Sequence, residues 1–178
     1  MFALITGGSG SGKSEYAENR ATELARKTGL PLYYIATMRP FGEEGRKRVE
    51  RHQRLRSGKG FHTIERYVNL KELKLPQTGV VLLECLSNLT ANEMFEPDGA
   101  GGDTPKEVLL GIRKIRSGSR HLIAVTNDIF SDGITYDKTT EQYQRYLGRI
   151  NQELAGEADE VTEVVCGIPL CLKASASK

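Results

Sequence analysis

Only three cysteines occur in the 178 residues, Cys85, Cys166 and Cys171, and no two form a C-x-x-C pair. An odd, scattered set argues against a disulfide framework and against a zinc site. No uninterrupted apolar run approaches the roughly 20 residues of a membrane span. The apolar opening Phe2-Ala3-Leu4-Ile5 meets glycine too soon for a secretory signal. A cytoplasmic location is expected. A large charge of one sign is missing too, since 25 basic against 23 acidic residues leave a formal net charge of +2. The field of the whole molecule therefore gives no reason to expect a nucleic acid or a membrane surface as partner. The length suits one ordinary domain, expected over residues 1–173 with a frayed tail at 174–178.

The balance conceals an uneven distribution. Between Arg39 and Gly60 lie eight basic residues (Arg39, Arg46, Lys47, Arg48, Arg51, Arg54, Arg56 and Lys59) against three acids, Glu43, Glu44 and Glu50. The rest of the chain then holds 17 basic and 20 acidic groups. Phe41 and Phe61 border this segment, but no aromatic is interleaved within it for stacking on bases.

What the chain does have is Gly7-Gly8-Ser9-Gly10-Ser11-Gly12-Lys13-Ser14, which fits G-x-x-x-x-G-K-[ST] directly behind an apolar strand. A strand, a glycine turn and a helix in that order form a cradle for a nucleoside triphosphate. The glycines let successive backbone N–H groups turn inward, and the helix that follows points its positive dipole end at the same anion. Lys13 is expected on the β- and γ-phosphates, and the Ser14 hydroxyl on Mg²⁺ (or Mn²⁺). A Gly/Ser linker would not run at once into a helical pattern.

Beyond the cradle, Ser14 to Lys27 reads as a helix with Ala17, Ala21, Leu24 and Ala25 on one face, stopped by Gly29. Leu32 to Ala36 reads as a second strand, and Glu43 to Arg56 as a helix with few apolar anchors. Val80 to Leu83 and Leu122 to Val125 are continuous apolar runs of strand length, as parallel strands covered on both faces require. Cys85 is placed with the first of these as a buried thiol. Glu96 to Thr104 reads as a loop between helices. Tyr143, Leu147, Ile150 and Leu154 recur at helical spacing, and Val161 to Cys166 with Ile168 to Leu172 read as two strands joined by a tight turn. Strands alternating with helices predict an α/β fold of the P-loop NTPase (RecA-like) type, a mostly parallel sheet flanked by helices, with ligands beyond the carboxyl ends of the strands.

Glu84 stands at such an end, where an acidic residue holds Mg²⁺ directly or through water; a strand-end carboxylate paired with a lysine is the plainer alternative. His52 lies inside the basic segment, flanked by Arg51 and Arg54. A neutral imidazole attacks phosphorus well, and neighbouring cations would keep it unprotonated near neutral pH. Taken alone, a histidine on a charged helix is more often a surface residue. His62 and His121 have less to recommend them, and His121, at the start of an apolar strand, reads as structural.

A resemblance raises His52. Ile5-Thr6-Gly7-Gly8 with Ser11-Gly12-Lys13-Ser14, Tyr34-Ile35-Ala36-Thr37, Arg48-Val49-Glu50-Arg51-His52-Gln53, Leu82-Leu83-Glu84-Cys85-Leu86 with Asn92, and Val125-Thr126-Asn127-Asp128 before Gly133-Ile134 follow one another in order. So do Gly148-Arg149-Ile150-Asn151-Gln152, Ala158-Asp159-Glu160-Val161 and Val165-Cys166-Gly167-Ile168-Pro169. From Phe2 to about Lys173 the chain resembles the bifunctional adenosylcobinamide kinase / adenosylcobinamide-phosphate guanylyltransferase family. The resemblance implies ATP or GTP as phosphoryl donor and adenosylcobinamide, then its phosphate, as acceptor. It implies GMP transfer through His52, and guanine nucleotide contacts at Ala36, Thr37, Met38, Gln53, Arg54, Glu65 and Glu84. Homo-oligomers, typically trimers, are also implied. Asp128 and Asp132 are candidates for a base. Two other readings stay open: a single-function small-molecule kinase, and a RecA-like nucleic-acid ATPase.

Overall fold

The computed structural model describes residues 1–40, 42–43, 50, 54, 58–130, 133–134 and 136–174. In chain order the elements are β1 (Phe2–Thr6), α1 (Lys13–Thr28), β2 (Leu32–Ala36), β3 (Phe61–Glu65), β4 (Val80–Leu83) and α2 (Leu86–Phe95). They continue with α3 (Thr104–Gly118), β5 (His121–Val125), α4 (Lys138–Glu157), β6 (Glu160–Val165) and β7 (Ile168–Lys173). Short 3-10 turns cover Leu70–Glu72 and Gly101–Asp103.

All seven strands join one sheet in the order β3-β2-β4-β5-β1-β6-β7. Every pairing is parallel except β6 with β7. This is the expected P-loop architecture, a mostly parallel sheet between helices. The apolar runs are continuous because both faces of the central strands are covered. Phe2, Leu4, Ile35, Val81, Leu83 and Leu122 pack towards α2, α3 and α4, where Leu86, Ile112, Leu147, Ile150 and Leu154 meet them. Ala3, Ile5, Leu32, Tyr34, Val80, Leu82 and Ile123 face α1 on the other side, against Ala17 and Ala21. Two alanines on that stripe let α1 lie close to the sheet.

Three expectations change in detail. Cys85 is not in the strand: it follows β4 as the N-cap of α2, its sulfur accepting the Asn88 N–H. Cys166 leaves β6 and begins the turn to β7, where it and Gly167 adopt φ of 51° and 80°. Phe61–Glu65, for which no strand was expected, pairs in register with β2 as the sheet edge. The helix expected over Glu43 to Arg56 lies mostly outside the described residues. Glu43, Glu50 and Arg54 within it are helical and exposed, and Glu50 pairs with Arg54 one turn on at 4.0 Å.

Close approach of α3 to the turn at Leu70–Glu72 depends on Gly111, where a Cβ would lie 2.8 Å from Leu70 Cβ and 3.2 Å from the Lys71 nitrogen. Overpacking of this kind costs about 1–3 kcal/mol, so Gly111→Ala should lower the stability measured by urea unfolding. Gly156, in α4 with nothing near its missing Cβ, is the control. Gly156→Ala should raise stability by roughly 0.4–1 kcal/mol. Equal effects of the two substitutions would contradict the close contact.

Candidate functional site

The cradle leaves β1 at Thr6 and enters α1 through Gly12, which caps the helix at φ 90°. A Cβ on Gly7 would lie 2.5 Å from the Val164 carbonyl oxygen and 2.6 Å from Ser11 Oγ, and one on Gly12 would lie 3.2 Å from Gly167 Cα. Only glycine fits where the loop is pressed against β6 and the β6–β7 turn. Backbone hydrogen bonds fix it from three sides. Ser11 N–H donates to Gly8 O at 3.2 Å, Asp128 N–H to Gly7 O at 3.1 Å, and Gly167 N–H to Ser11 O at 2.8 Å.

Gly8, Ser9 and Gly10 remain exposed, open to an anion at the positive end of α1. Lys13 is 8 % exposed, and its Nζ donates to Gly8 O at 2.9 Å. Burial pushes its pKa below the usual 10.5, opposed by the nearby Cys85. Its ammonium thus stretches back across the loop, held for a phosphate that would replace lost water. Ser14 is exposed one residue later. The buried Ser11 hydroxyl oxygen has no protein partner.

A second polar centre occupies the carboxyl ends of the neighbouring strands β3, β2 and β4. Glu84 Oε1 accepts from the Tyr34 hydroxyl at 2.9 Å, and Oε2 accepts from the N–H groups of Thr37 at 2.9 Å and Met38 at 3.1 Å. One carboxylate thereby shapes the turn Ala36-Thr37-Met38. Asn92 of α2 donates to Thr37 O at 2.8 Å and to Tyr67 O at 3.0 Å, joining the loops after β2 and β3. Glu65 stands opposite Ala36 in the β2–β3 register and accepts from the Tyr67 hydroxyl at 2.8 Å. Burial, followed by that carboxylate, pushes the Tyr67 pKa up to about 12, so the phenol stays a donor. Asn127 donates to the sulfur of Cys85, the residue after Glu84, at 3.5 Å, and the N–H of Asp128 beside it bonds Gly7 O, so this centre adjoins the cradle. Behind both, Asn127 donates to Ser87 Oγ at 3.2 Å, and the Tyr143 hydroxyl donates to Ser87 O at 3.1 Å.

The residues expected to contact nucleotide thus form two groups: Gly7, Gly8, Ser9, Gly10, Ser11, Gly12, Lys13 and Ser14 in the loop, and Ala36, Thr37, Met38, Glu65 and Glu84 at the strand ends. Arg54 is exposed, with Glu50 beside it. His52, Gln53 and Asp132 lie outside the described residues. Asp128 is exposed and turned towards its own loop, accepting the Phe130 N–H at 3.2 Å.

Both borders of the basic segment are tethered by ion pairs that the sequence does not signal. Arg39 reaches both oxygens of Asp98 at 2.9–3.0 Å and stacks 5.3 Å over the Tyr67 ring. Lys59 meets Glu18 of α1 at 2.7 Å, where Glu18 is only 4 % exposed. A carboxylate so buried requires its cation, which binds the segment's far border to the helix that starts in the cradle.

A resident metal cage is not what these residues offer. Among the described residues no group of three or more His, Cys, Asp and Glu could hold an ion. Mg²⁺ carried by a nucleotide needs only one or two protein oxygens beside phosphates and water, and the exposed Ser14 hydroxyl suits that role. Glu84 has three of about four acceptor positions taken, which leaves room for one metal-bound water. No helix among the described residues is long and apolar enough to cross a membrane.

A family model described as cobinamide kinase / cobinamide phosphate guanyltransferase matches residues 3–172. The chain is 31% identical to the bifunctional adenosylcobalamin biosynthesis protein CobU of Escherichia coli, with 97% of this chain and 100% of that one covered. It is 29% identical to the bifunctional adenosylcobalamin biosynthesis protein CobP of Pseudomonas aeruginosa, over 97% of this chain and 98% of that one. Among solved structures, a KaiC-like protein from Pyrococcus horikoshii aligns over 91% of this chain and 69% of its own, with a TM-score of 0.45 and 13% identity.

The buried lysine generates a proton-linkage prediction. In the free protein the Lys13 ammonium deprotonates below 10.5, and bound phosphates restore its charge. Triphosphate binding should therefore take up a proton as the pH rises through the depressed pKa towards 10.5, and affinity should fall across that window. Calorimetric titrations in buffers of different ionisation enthalpy measure the uptake. Lys13→Met should abolish it, and equal uptake in that variant would exclude Lys13 as its source.

Proposed function

The chain belongs to the cobinamide kinase / cobinamide phosphate guanyltransferase family, and on that premise we propose how its two polar centres divide the work. The protein phosphorylates adenosylcobinamide with ATP or GTP and then transfers GMP from GTP to the phosphate just made. The observation that carries the division is the pairing, on one sheet edge, of a phosphate cradle with a turn whose backbone a single carboxylate organises.

In the kinase step, the terminal hydroxyl of the aminopropanol arm attacks the γ-phosphorus. The bond from that phosphorus to the β,γ-bridging oxygen breaks, the nucleoside diphosphate leaves, and the hydroxyl proton passes to a base, for which Asp128 and Asp132 are the candidates. Such a transfer needs mainly alignment and charge neutralisation. The N–H groups of the loop and the Lys13 ammonium do both. Ser14, with Glu84 through water, would hold Mg²⁺, which when bound would offset negative charge on the phosphates.

In the second step, the His52 imidazole attacks the α-phosphorus of GTP and the bond to the β-phosphate breaks, releasing pyrophosphate. A phosphate oxygen of the acceptor then attacks the same phosphorus, the P–N bond breaks, and a diphosphate linkage carries GMP away. Two displacements replace one difficult transfer. Cations of the basic segment offset the charge of departing pyrophosphate, and its borders are held by Arg39 on Asp98 and Lys59 on Glu18. Ala36, Thr37, Met38, Gln53, Arg54 and Glu65 complete the guanine nucleotide site. A reaction that draws on ATP and GTP suits the cytoplasm. Assembly as a homo-oligomer, a trimer by resemblance, belongs to the same reading, and the exposed Ile168, Leu170 and Leu172 of β7 are a surface it would cover. Family membership favours this reading over a single-function kinase or a nucleic-acid ATPase.

Incubation with α-³²P-GTP tests the covalent step. The wild type should acquire acid-labile label, and His52→Ala should acquire none while still phosphorylating adenosylcobinamide; label retained by the variant removes His52 from the mechanism. For the organised turn, Glu84→Ala leaves three donors unserved. Hydrogen bonds to a charged group are worth about 1.5–3 kcal/mol, so the KM for GTP in guanylyl transfer should rise at least about tenfold. An unchanged KM would show that the turn holds its shape without the carboxylate.

A further inference from the structure

A groove of about 440 Å³ runs along the outer side of α4 beneath Phe130, and none of the roles above uses it. Gln144, Gly148 and Gln152 recur every four residues and so form one stripe on the helix. Arg145 and Arg149 flank them. Each arginine is paired on its own helix, Arg145 with Glu141 at 3.7 Å and Arg149 with Glu153 at 3.2 Å. The groove is therefore close to neutral, with amides along its floor and one aromatic wall.

Phe130 is 45 % exposed although the residues just before it are tied down. Ile129 packs against the core, and its carbonyl accepts from Gln144 Nε2 at 3.2 Å. The Phe130 N–H donates to Asp128, whose own N–H donates to Gly7 of the cradle. One exposed ring is ordinary on a protein surface, but this one forms a wall of the groove. Gly148 makes the space: a Cβ there would sit at ordinary contact distance, 3.6 and 3.8 Å from the ring, and any longer side chain would fill the groove.

We propose that this groove docks the corrin ring of the acceptor, its flat apolar face against Phe130 and its peripheral amide groups on Gln144 and Gln152. The proposal rests on the kinase reading above and adds where the acceptor is held. Corrin chemistry fits: the carbon framework of the ring is apolar, the face opposite the adenosyl ligand is open to an aromatic, and acetamide and propionamide arms stand at the rim. The reacting hydroxyl lies at the end of one such arm, so the ring must bind beside the cradle rather than in it. Phe130 is two residues from the backbone that bonds Gly7, a span of at most about 7 Å, which places the ring's wall next to the phosphoryl donor.

Gly148→Leu fills the groove on a helix surface where the first added carbon fits, and Phe130→Ala removes the wall. Steady-state kinase assays and absorbance titration of the corrin with nucleotide-free protein read the effect. Both variants should raise the KM and the Kd for adenosylcobinamide at least about fivefold, with the KM for ATP within twofold of wild type and far-UV circular dichroism unchanged. Wild-type turnover with an unaltered acceptor KM and Kd in both variants overturns the groove alone. The same unaltered constants with a changed oligomeric mass overturn it in favour of a contact between copies. Failure of the wild type to bind or phosphorylate adenosylcobinamide overturns the kinase reading and the groove together.

Discussion

The site depends on a lack of room around the first loop. The Val164 carbonyl and Gly167 backbone occupy the space that side chains at Gly7 and Gly12 would need. A loop pressed so closely against β6 and its turn cannot collapse inward, and its exposed N–H groups stay aimed at solvent, where an anion can take them. The conformation is imposed from outside by strands far along the chain, through Asp128 on one side and Gly167 on the other. Lys13 reaches back over the loop to Gly8, and its burial strips water from the ammonium.

Glu84 applies the same logic to the neighbouring centre with a charge instead of a contact. Three donors converge on one carboxylate, so the backbone after β2 is held by a group from β4, and Asn92 of α2 links it to the loop after β3. Arg39 and Lys59, at the two borders of the basic segment, are anchored to Asp98 in the loop after α2 and to Glu18 of α1.

Much of the fold was legible in the sequence because the central strands are buried on both faces: Val80 to Leu83 and Leu122 to Val125 are apolar without interruption, and that pattern has few other meanings. The stripe Leu147, Ile150, Leu154 located α4 for the same reason, since all three are fully buried. β3 was not legible because it is an edge. Phe61-His62-Thr63-Ile64-Glu65 is largely exposed, and its strand character comes from pairing with β2 rather than from its own residues. Cys85 misled because a thiol reads as apolar, whereas here it caps a helix. The cradle was visible as a local pattern, and so was the carboxylate at the end of β4. The links from Asn92 to Thr37 and Tyr67, or from Lys59 to Glu18, were not, because they exist only once the strand order β3-β2-β4 is set. His52 was read from its neighbours in sequence, and its place in space lies outside the described residues.

The first strand of the chain lies inside the sheet, between β5 and β6. β1 carries the loop, yet Phe2 pairs with Leu122 and Ala3 with Glu160, and the loop itself is closed by Gly167. Contacts of such separation form late and slowly. During synthesis the amino-terminal motif leaves the ribosome well before the strands that shape it, so a growing polypeptide displays the sequence of a nucleotide site without the ability to capture nucleotide.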